Sequence, residues 1–423
     1  MPGIHEADRL RGEGVPVLRR AAFFSRAVAM SGASALQALA HVLLERFFPV
    51  RGEIRRLLVI QLGQIGDYVL TEPFLRAVKD GGRGEVTVAV LLDSINADLC
   101  AASGVADEVI TYNSRKYTRG TESFFPAAEL GRARYDAAVW LRGDMKAFAW
   151  LLKRRLRFVS AAKYPLPLRR SWSPVITGKP AQGRSMHYAE CLEDLFGQLF
   201  PGRPGISRVN AASHREAACE RVFVHIGSGN ALRRWPAVRY AELCRMLLER
   251  DGATRITLVG SGADDAVALP IMDALVEYGG RVENLCGRIE LTGLKGLLST
   301  GALYIGLDSG PMHIAASAGI PIVAMMGPQS PKVFRPLGTQ DINVVYKDFF
   351  CSPCWQFYCL HRANGAGACV LAISAGEVFR AASSILESKD AGGATDGDEL
   401  ISKRVGGSLR PRRRGKSEGA ASL

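Results

Sequence analysis

One segment of the chain, residues 303–328, reads in order as a buried strand, a tight turn, a helix and a second buried strand. The turn is Asp308-Ser309-Gly310-Pro311. Pro311 suits the first position of a helix, because its φ is fixed near the helical value and its missing N–H would be unpaired there. Since a helix crosses between the two strands, the segment predicts an α/β protein with a mostly parallel sheet.

The same turn predicts a phosphate site. The start of a helix offers free N–H groups and the positive end of its dipole, which together bind phosphate. Gly310 lets a bulky group approach the backbone. Asp308 can accept ribose hydroxyls or cap the helix, and His313 lies about one turn further on. These residues predict a site for a nucleotide diphosphate.

Strands and helices alternate on both sides of a Pro/Gly-rich bridge at 201–205. The strands predicted before the bridge lie near 55–62, 85–92, 108–111, 135–141 and 157–160. The strands predicted after it lie near 221–225, 255–259, 282–285, 303–305 and 321–325. We predict two Rossmann-like domains at 54–200 and 206–388 with a cleft between them, an extension at 1–53 and a disordered basic tail at 389–423.

The chain carries a net charge of +13, and this charge is unevenly distributed. No acidic residue occurs between Asp144 and Glu190, whereas basic residues recur there and in the tail. Such a balance favours a polyanionic partner: a phosphorylated sugar lipid, an anionic membrane surface or nucleic acid. The two-domain cleft favours an enzyme over a nucleic-acid binder, so we assign Arg154, Arg155 and Lys163 to an anionic acceptor.

Residues 21–48 form a predicted amphipathic helix. Polar residues interrupt the run of about 20 apolar residues that a membrane span needs. The helix is then either interfacial or packed on the protein's own surface. Cysteines scattered through core elements are typical of a reducing compartment, and the start of the chain shows no cleavable signal pattern. We expect a cytoplasmic protein, peripheral on the inner face of the membrane.

Two aspartates follow predicted strands of the first domain. Asp67 ends the loop at 63–67, which leads into a helix predicted over 68–79. It could act as general base on an attacking hydroxyl or cap that helix, and its position favours neither role. The same two interpretations apply to Asp144.

A turn of the second domain suits anion contact. Gly227 and Ser228 follow a strand and could present backbone N–H groups to a phosphate. Arg233 or Arg234 could neutralise a diphosphate, which arginine binds bidentately, or could belong to a solvated helix start.

A second glycine turn of this domain contains Gly260 and Asp264. It resembles a dinucleotide fingerprint only superficially, because the third glycine is missing. Its glycines and acids could still line a ribose.

Four of the nine cysteines lie close together near the end of the chain, in a C-x2-C-x4-C-x9-C pattern. They are Cys351, Cys354, Cys359 and Cys369. Four soft ligands suit a structural zinc or iron ion, although the spacing is not that of a standard zinc finger. The alternative is a set of thiols that pins a loop. Either interpretation makes the cluster structural.

These motifs together resemble glycosyltransferase family 9, the ADP-heptose:lipopolysaccharide heptosyltransferases, from about Arg56 to about Leu386. Their order and spacing make the resemblance specific. The motifs are Leu58-Val59-Ile60-Gln61-Leu62-Gly63-Gln64-Ile65-Gly66-Asp67, His187-Tyr188-Ala189-Glu190, His225-Ile226-Gly227-Ser228-Gly229, Arg233-Arg234-Trp235-Pro236, Asp308-Ser309-Gly310-Pro311-Met312-His313, Gly327-Pro328 and Cys351-Ser352-Pro353-Cys354.

The resemblance implies a GT-B fold, with the acceptor on the N-terminal domain and the nucleotide sugar on the C-terminal domain. It implies inverting transfer with no covalent intermediate and no catalytic cofactor, most commonly of heptose from ADP-heptose to a lipopolysaccharide core. It makes Asp67 the catalytic base, and we place Gly66 beside the acceptor. Arg233 stands where the family usually has lysine. The donor site then comprises Gly227, Ser228, Arg233, Gly260, Asp264, Ile289, Asp308, Ser309, Gly310 and His313.

Two other functions are weighed against this one. A GT-B enzyme with a different donor, or an epimerase, would turn over a nucleotide sugar without this acceptor, and the basic stretch argues against it. A non-catalytic nucleotide-binding protein at the membrane would use the 21–48 helix, and the presence of Asp67 argues against that.

Overall fold

The computed structural model describes residues 53–81, 85–113, 124–152, 157–160, 187–206, 220–338, 341–349, 351–354, 359 and 367–390. The helix predicted at 21–48 and the tail at 389–423, apart from its first two residues, lie outside these ranges. So do Arg154, Arg155 and Lys163, the three residues assigned to the acceptor.

The first half of the described chain forms a sheet of five parallel strands in the order β3-β2-β1-β4-β5. The strands are β1 (Arg56–Gln61), β2 (Thr87–Leu92), β3 (Glu108–Thr111), β4 (Ala137–Arg142) and β5 (Arg157–Ser160). The helices are α1 (Ile65–Gly81), α2 (Ala97–Ser103), α3 (Ala127–Gly131), α4 (Met145–Leu152) and α5 (Tyr188–Leu199). We call this sheet and its helices the N-terminal domain.

The second half forms a parallel sheet of six strands in the order β11-β10-β9-β6-β7-β8. The strands are β6 (Arg221–His225), β7 (Arg255–Val259), β8 (Val282–Asn284), β9 (Leu303–Leu307), β10 (Ile322–Met326) and β11 (Ile342–Tyr346). The helices are α6 (Ala237–Arg250), α7 (Asp265–Asp273), α8 (Leu291–Leu298), α9 (Gly310–Ser317), α10 (Pro331–Phe334), α11 (Ala368–Leu371) and α12 (Ala375–Asp390). We call this unit the C-terminal domain.

Both sheets have the strand order of a Rossmann fold, in which the first strand lies at the centre and the order reverses beside it. The reversal lies between β1 and β4 in one domain and between β6 and β9 in the other. Ligands of such sheets bind beyond the carboxyl ends of the strands at this point. The prediction of two Rossmann-like sheets is confirmed, whereas the exact domain limits remain a prediction.

The structure corrects the sequence analysis at two elements. Helix α1 begins at Ile65 and not near residue 68, so Asp67 lies in its first turn and not in a loop. Strand β11 was not predicted. It is an edge strand whose five residues are all partly exposed, so it lacks the continuous apolar run of the buried strands.

The two domains contact each other through the N-terminal ends of α1 and α9. A Cβ added at Gly66 would lie 2.7 Å from Cδ2 of His313, and one added at Gly310 would lie 2.6 Å from Cβ of Ile65. Only glycine fits at either position without displacement of its neighbour. The two helix starts therefore meet at the edge where both sheets expose their strand ends.

A second contact between the domains is made by His187, which precedes α5. Its Nδ1 accepts the N–H of Ala189, 3.1 Å away, as part of a capping box completed by Glu190. Because Nδ1 is an acceptor, Nε2 carries the proton and donates it to the carbonyl of Arg335, 2.9 Å away in the C-terminal domain.

None of the helices in the described part of the chain is both long enough and apolar enough to cross a membrane.

The core of the N-terminal domain provides a test of the fold. Phe74 of α1 is fully buried and packs edge-on against Phe196 of α5, with ring centroids 6.4 Å apart. We expect Phe74→Ala to lower the free energy of unfolding by about 3–5 kcal/mol, measured by denaturant titration. Val238→Ala, at a side chain that is 73% exposed on α6, is the control and should change it by less than about 0.5 kcal/mol. Equal effects would contradict this packing.

Candidate functional site

Asp67 is buried in the first turn of α1, and both of its carboxylate oxygens are engaged. Oδ2 accepts the backbone N–H of Gln64 at 2.9 Å, as the third residue of a capping box does. Oδ1 accepts a hydrogen bond from Nη2 of Arg142 at 2.6 Å. Asp67 thus stabilises the helix start and also forms an ion pair, and its role as general base remains a prediction.

Gln61, the last residue of β1, fixes the loop that carries Asp67. Its Nε2 lies 3.2 Å from the carbonyl of Asp67 and 2.7 Å from Oγ1 of Thr71, and its Oε1 accepts the N–H of Gly63. Nε2 also lies 3.1 Å from the hydroxyl of Tyr188 in α5. No role was predicted for Gln61 from the sequence, although a polar residue at the end of an otherwise apolar strand indicates a buried hydrogen-bonding role.

Asp144 is a helix cap. Its Oδ1 accepts the N–H of Ala147 at 2.9 Å, which is the N-cap interaction of α4. Its Oδ2 accepts the hydroxyl of Tyr112 at 2.8 Å. Of the two interpretations open for Asp144, the structure favours the cap.

In the C-terminal domain, Asp308 and Arg233 form a second ion pair. Nη1 of Arg233 lies 3.2 Å from Oδ2 of Asp308 and 2.6 Å from its carbonyl oxygen. Burial raises the pKa of Asp308, and the negative charge of Asp67 adds to this effect, whereas Arg233 opposes it. Among the described residues, no N–H of α9 donates to the Asp308 carboxylate, since the N-cap position belongs to Ser309 and Oδ2 of Asp308 has only the ion-pair contact with Arg233.

Ser309 stands at the N-cap position of α9 without a side-chain cap. Its Oγ lies 3.4 Å from Nδ1 of His225 at the end of β6. Burial lowers the pKa of His225 to about 4, so this ring is neutral at physiological pH.

His313 faces the N-terminal domain at the contact with Gly66. Burial, and next the neighbouring His187, lower its pKa to about 4. Its Nδ1 is buried with no hydrogen-bond partner in the described structure. His313 is thus a neutral ring at the meeting point of the two domains, close enough to Asp67 to interact electrostatically with it.

The glycine turns that follow β6 and β7 both lie against the side chain of Asp264. Its Oδ2 accepts hydrogen bonds from the N–H and the hydroxyl of Ser261, at 2.8 and 2.6 Å. A Cβ added at Gly227 would lie 2.2 Å from Oδ2 of Asp264, and one added at Gly260 would lie 2.9 Å from its Cβ. Ile289 is half-buried beyond the end of β8. The structure therefore brings Gly227 and Gly260 against Asp264 at the strand ends, and the ribose and base assignments remain predictions.

The four clustered cysteines line one small apolar pocket together with Leu232, Pro328 and Phe349. Burial, and then the neighbouring Cys354 and Cys359, raise the pKa of Cys369 to about 11. Within the described ranges, no three His, Cys, Asp or Glu side chains are arranged to hold a metal ion. The thiols converge, but not as a formed coordination sphere.

Sequence comparison places these features in a known family. The model of "Glycosyltransferase family 9 (heptosyltransferase)" matches residues 127–363. The chain is 24% identical over 329 residues to lipopolysaccharide heptosyltransferase 1 of Pseudomonas aeruginosa, covering 73% of this chain and 88% of that protein. It is 37% identical over 115 residues to lipooligosaccharide heptosyltransferase 2 of Haemophilus ducreyi, covering 26% of this chain and 32% of that protein.

Solved structures show the same fold. The E. coli ADP-heptose LPS heptosyltransferase II superposes with a TM-score of 0.57 at 18% identity, covering 79% of this chain and 99% of that one. A family 9 glycosyltransferase from Veillonella parvula gives 0.59 at 20% identity, covering 80% and 99%. The architecture is therefore GT-B, and the chain belongs to glycosyltransferase family 9 and is a glycosyltransferase.

Proposed function

We propose that this protein is an inverting heptosyltransferase that moves heptose from ADP-heptose onto a lipopolysaccharide core-type acceptor. One observation carries the proposal: the Asp67 carboxylate and the start of α9 come from opposite domains and meet at one edge, within electrostatic range of each other. The relatives are named lipopolysaccharide and lipooligosaccharide heptosyltransferases, and one solved structure is named an ADP-heptose heptosyltransferase; these names support the choice of sugar, donor and acceptor.

The C-terminal domain binds the donor in this proposal. The diphosphate lies at the start of α9, beside Ser309 and Gly310, where free N–H groups favour an anion. Arg233 lies at the same place, held by Asp308. Negative charge grows on the leaving diphosphate as the glycosidic bond breaks, so these fixed groups stabilise the transition state more than the ground state.

The nucleoside lies over the strand ends of the same domain. Asp264 accepts ribose hydroxyls, and its carboxylate is already oriented by Ser261. Gly227, Ser228 and Gly260 let the nucleotide approach the backbone, and Ile289 packs on the base. His313 lies beside the reacting sugar. Because its ring is neutral, Arg233 and not His313 is the cationic partner of the diphosphate.

The N-terminal domain supplies the base and the acceptor. Asp67 takes the proton of the acceptor hydroxyl, whose oxygen bonds to the anomeric carbon from the face opposite the diphosphate, and ADP leaves. Gly66 lies next to the attacked position, and Arg154, Arg155 and Lys163 bind anionic groups of the acceptor. Transfer needs no cofactor, because the chain itself supplies both the base and the cationic groups.

The acceptor is a phosphorylated, lipid-linked saccharide, so we place the enzyme in the cytoplasm, peripheral on the anionic inner face of the bacterial cytoplasmic membrane. The net charge of +13 supports this location, because basic residues are attracted to an anionic membrane surface. We propose no nucleic-acid partner.

The base assignment is tested by Asp67→Asn, which keeps the shape of the side chain but cannot accept the proton. We expect transfer to fall by about 10²–10⁴-fold in a coupled ADP-release assay, with ADP affinity changed by less than about threefold. Asp144→Asn is the control, since asparagine caps a helix as well as aspartate does, and it should retain transfer. Substantial turnover by Asp67→Asn would show that another group is the base.

The cysteine cluster is structural in this proposal, and zinc or iron bound there remains a prediction. We expect Cys354→Ser to lower Tm by several degrees, as the loss of about 1–2 kcal/mol would. Elemental analysis of the purified protein should find one zinc or iron per chain that this variant loses. Cys100→Ser, which changes a buried thiol of α2, should keep the metal. Wild-type protein without metal would leave the cluster as a set of thiols that pins the loop.

A further inference from the structure

Arg142 is the guanidinium in direct contact with Asp67, and its place is fixed by the sheet. It is the last residue of β4, which lies beside β1, and its carbonyl accepts the N–H of Leu62 at 2.7 Å. A register shift between Ile60 and Gln61 brings Arg142 opposite Gln61, at the start of the loop that carries Asp67. Its side chain is 19% exposed and that of Asp67 is 8% exposed, so water screens the pair only weakly.

Other groups that face Asp67 come from three elements. Asp308 follows β9 and interacts electrostatically with Asp67 as a like charge. Tyr188 of α5 and His313 of α9 also interact with Asp67, and burial favours the neutral form of both. Arg233 is already held by Asp308. Among the residues that the structure describes, Arg142 is therefore the cation that directly balances the charge of Asp67.

A bound donor diphosphate would make the positive charge of Arg142 beside the Asp67 carboxylate more important. It brings further negative charge to the edge that Asp67 and Asp308 already share, and nearby negative charge favours protonation of a carboxylate. A protonated Asp67 could not accept the proton of the acceptor. A cation fixed on the base keeps it ionised while the donor is bound.

We propose that Arg142 is a positioning residue that keeps Asp67 ionised and correctly oriented in the complex with the nucleotide sugar. This inference rests on the proposed function. Each carboxylate oxygen has two lone-pair sites, and the hydrogen bonds from Gln64 and Arg142 use one on each oxygen. The remaining sites receive the acceptor proton as the new C–O bond forms and the bond to the diphosphate breaks. Arg142 itself neither gains nor loses a proton.

The test compares Arg142→Gln and Arg142→Lys by pH–rate profiles of kcat, taken at saturating donor and acceptor, and of kcat/KM, taken from donor titrations at each pH. Loss of the positive charge in Arg142→Gln should move the acid limb of kcat to higher pH by about 1–3 units. The limb of kcat/KM, which reports the free enzyme, should move less than that of kcat. Arg142→Lys keeps the charge but not the fixed guanidinium geometry, so it should keep the limb and lose turnover. ADP affinity should change by less than about threefold in both variants.

Arg76→Gln is the matched control, because it breaks an ion pair with Glu72 on the exposed face of the same helix α1. This variant should leave the acid limbs of both kcat and kcat/KM at their wild-type pH. An acid limb in Arg142→Gln equal to that of the wild type would overturn the positioning role.

A double-mutant cycle of Arg142→Gln and Asp67→Asn, measured by Tm, separates this result from a failure of the proposed function. Coupling between the two sites together with an unmoved limb overturns only the role of Arg142. A wild-type enzyme that transfers no sugar overturns the proposed function and the role of Arg142 with it, whatever the cycle shows about the pair.

Discussion

The contact between the starts of α1 and α9 is the constraint on which the rest of the site depends. Gly66 faces His313 and Gly310 faces Ile65, each at a distance that a Cβ would make too short. Because the two helices begin at the carboxyl ends of β1 and β9, this contact places the functional edges of both sheets against each other. A side chain at either glycine would move Asp67 of one domain away from the start of α9 in the other.

Charge is arranged in the same way on both sides of this contact. Each domain contributes a buried carboxylate held by an arginine from its own sheet or turn: Asp67 with Arg142, and Asp308 with Arg233. Removing one partner of such a pair leaves an uncompensated buried charge, which is strongly unfavourable. Each pair thus sets a fixed positive charge against a buried carboxylate at the edge where the two domains meet.

The sequence was sufficient for most of the fold, because the buried strands are continuous apolar runs that alternate with helices. It failed where the local signal was weak: Gly63-Gln64-Ile65-Gly66 reads as a loop although α1 begins at Ile65, and β11 lacks an apolar run. The contact of Arg142 with Asp67 could not be predicted, since it is set by strand order and register and joins residues 75 positions apart.

The most direct test is calorimetric titration of the purified protein with ADP-heptose, with UDP- and GDP-sugars as competitors. A nucleotide-sugar site at the contact of the two domains predicts one ADP-heptose bound per chain, with clear preference over the other sugars. It also predicts a loss of about tenfold or more in affinity in Arg233→Gln, since about 1.4 kcal/mol of binding energy corresponds to that factor. Absence of binding by every nucleotide sugar, or equal binding by wild type and Arg233→Gln, would contradict it.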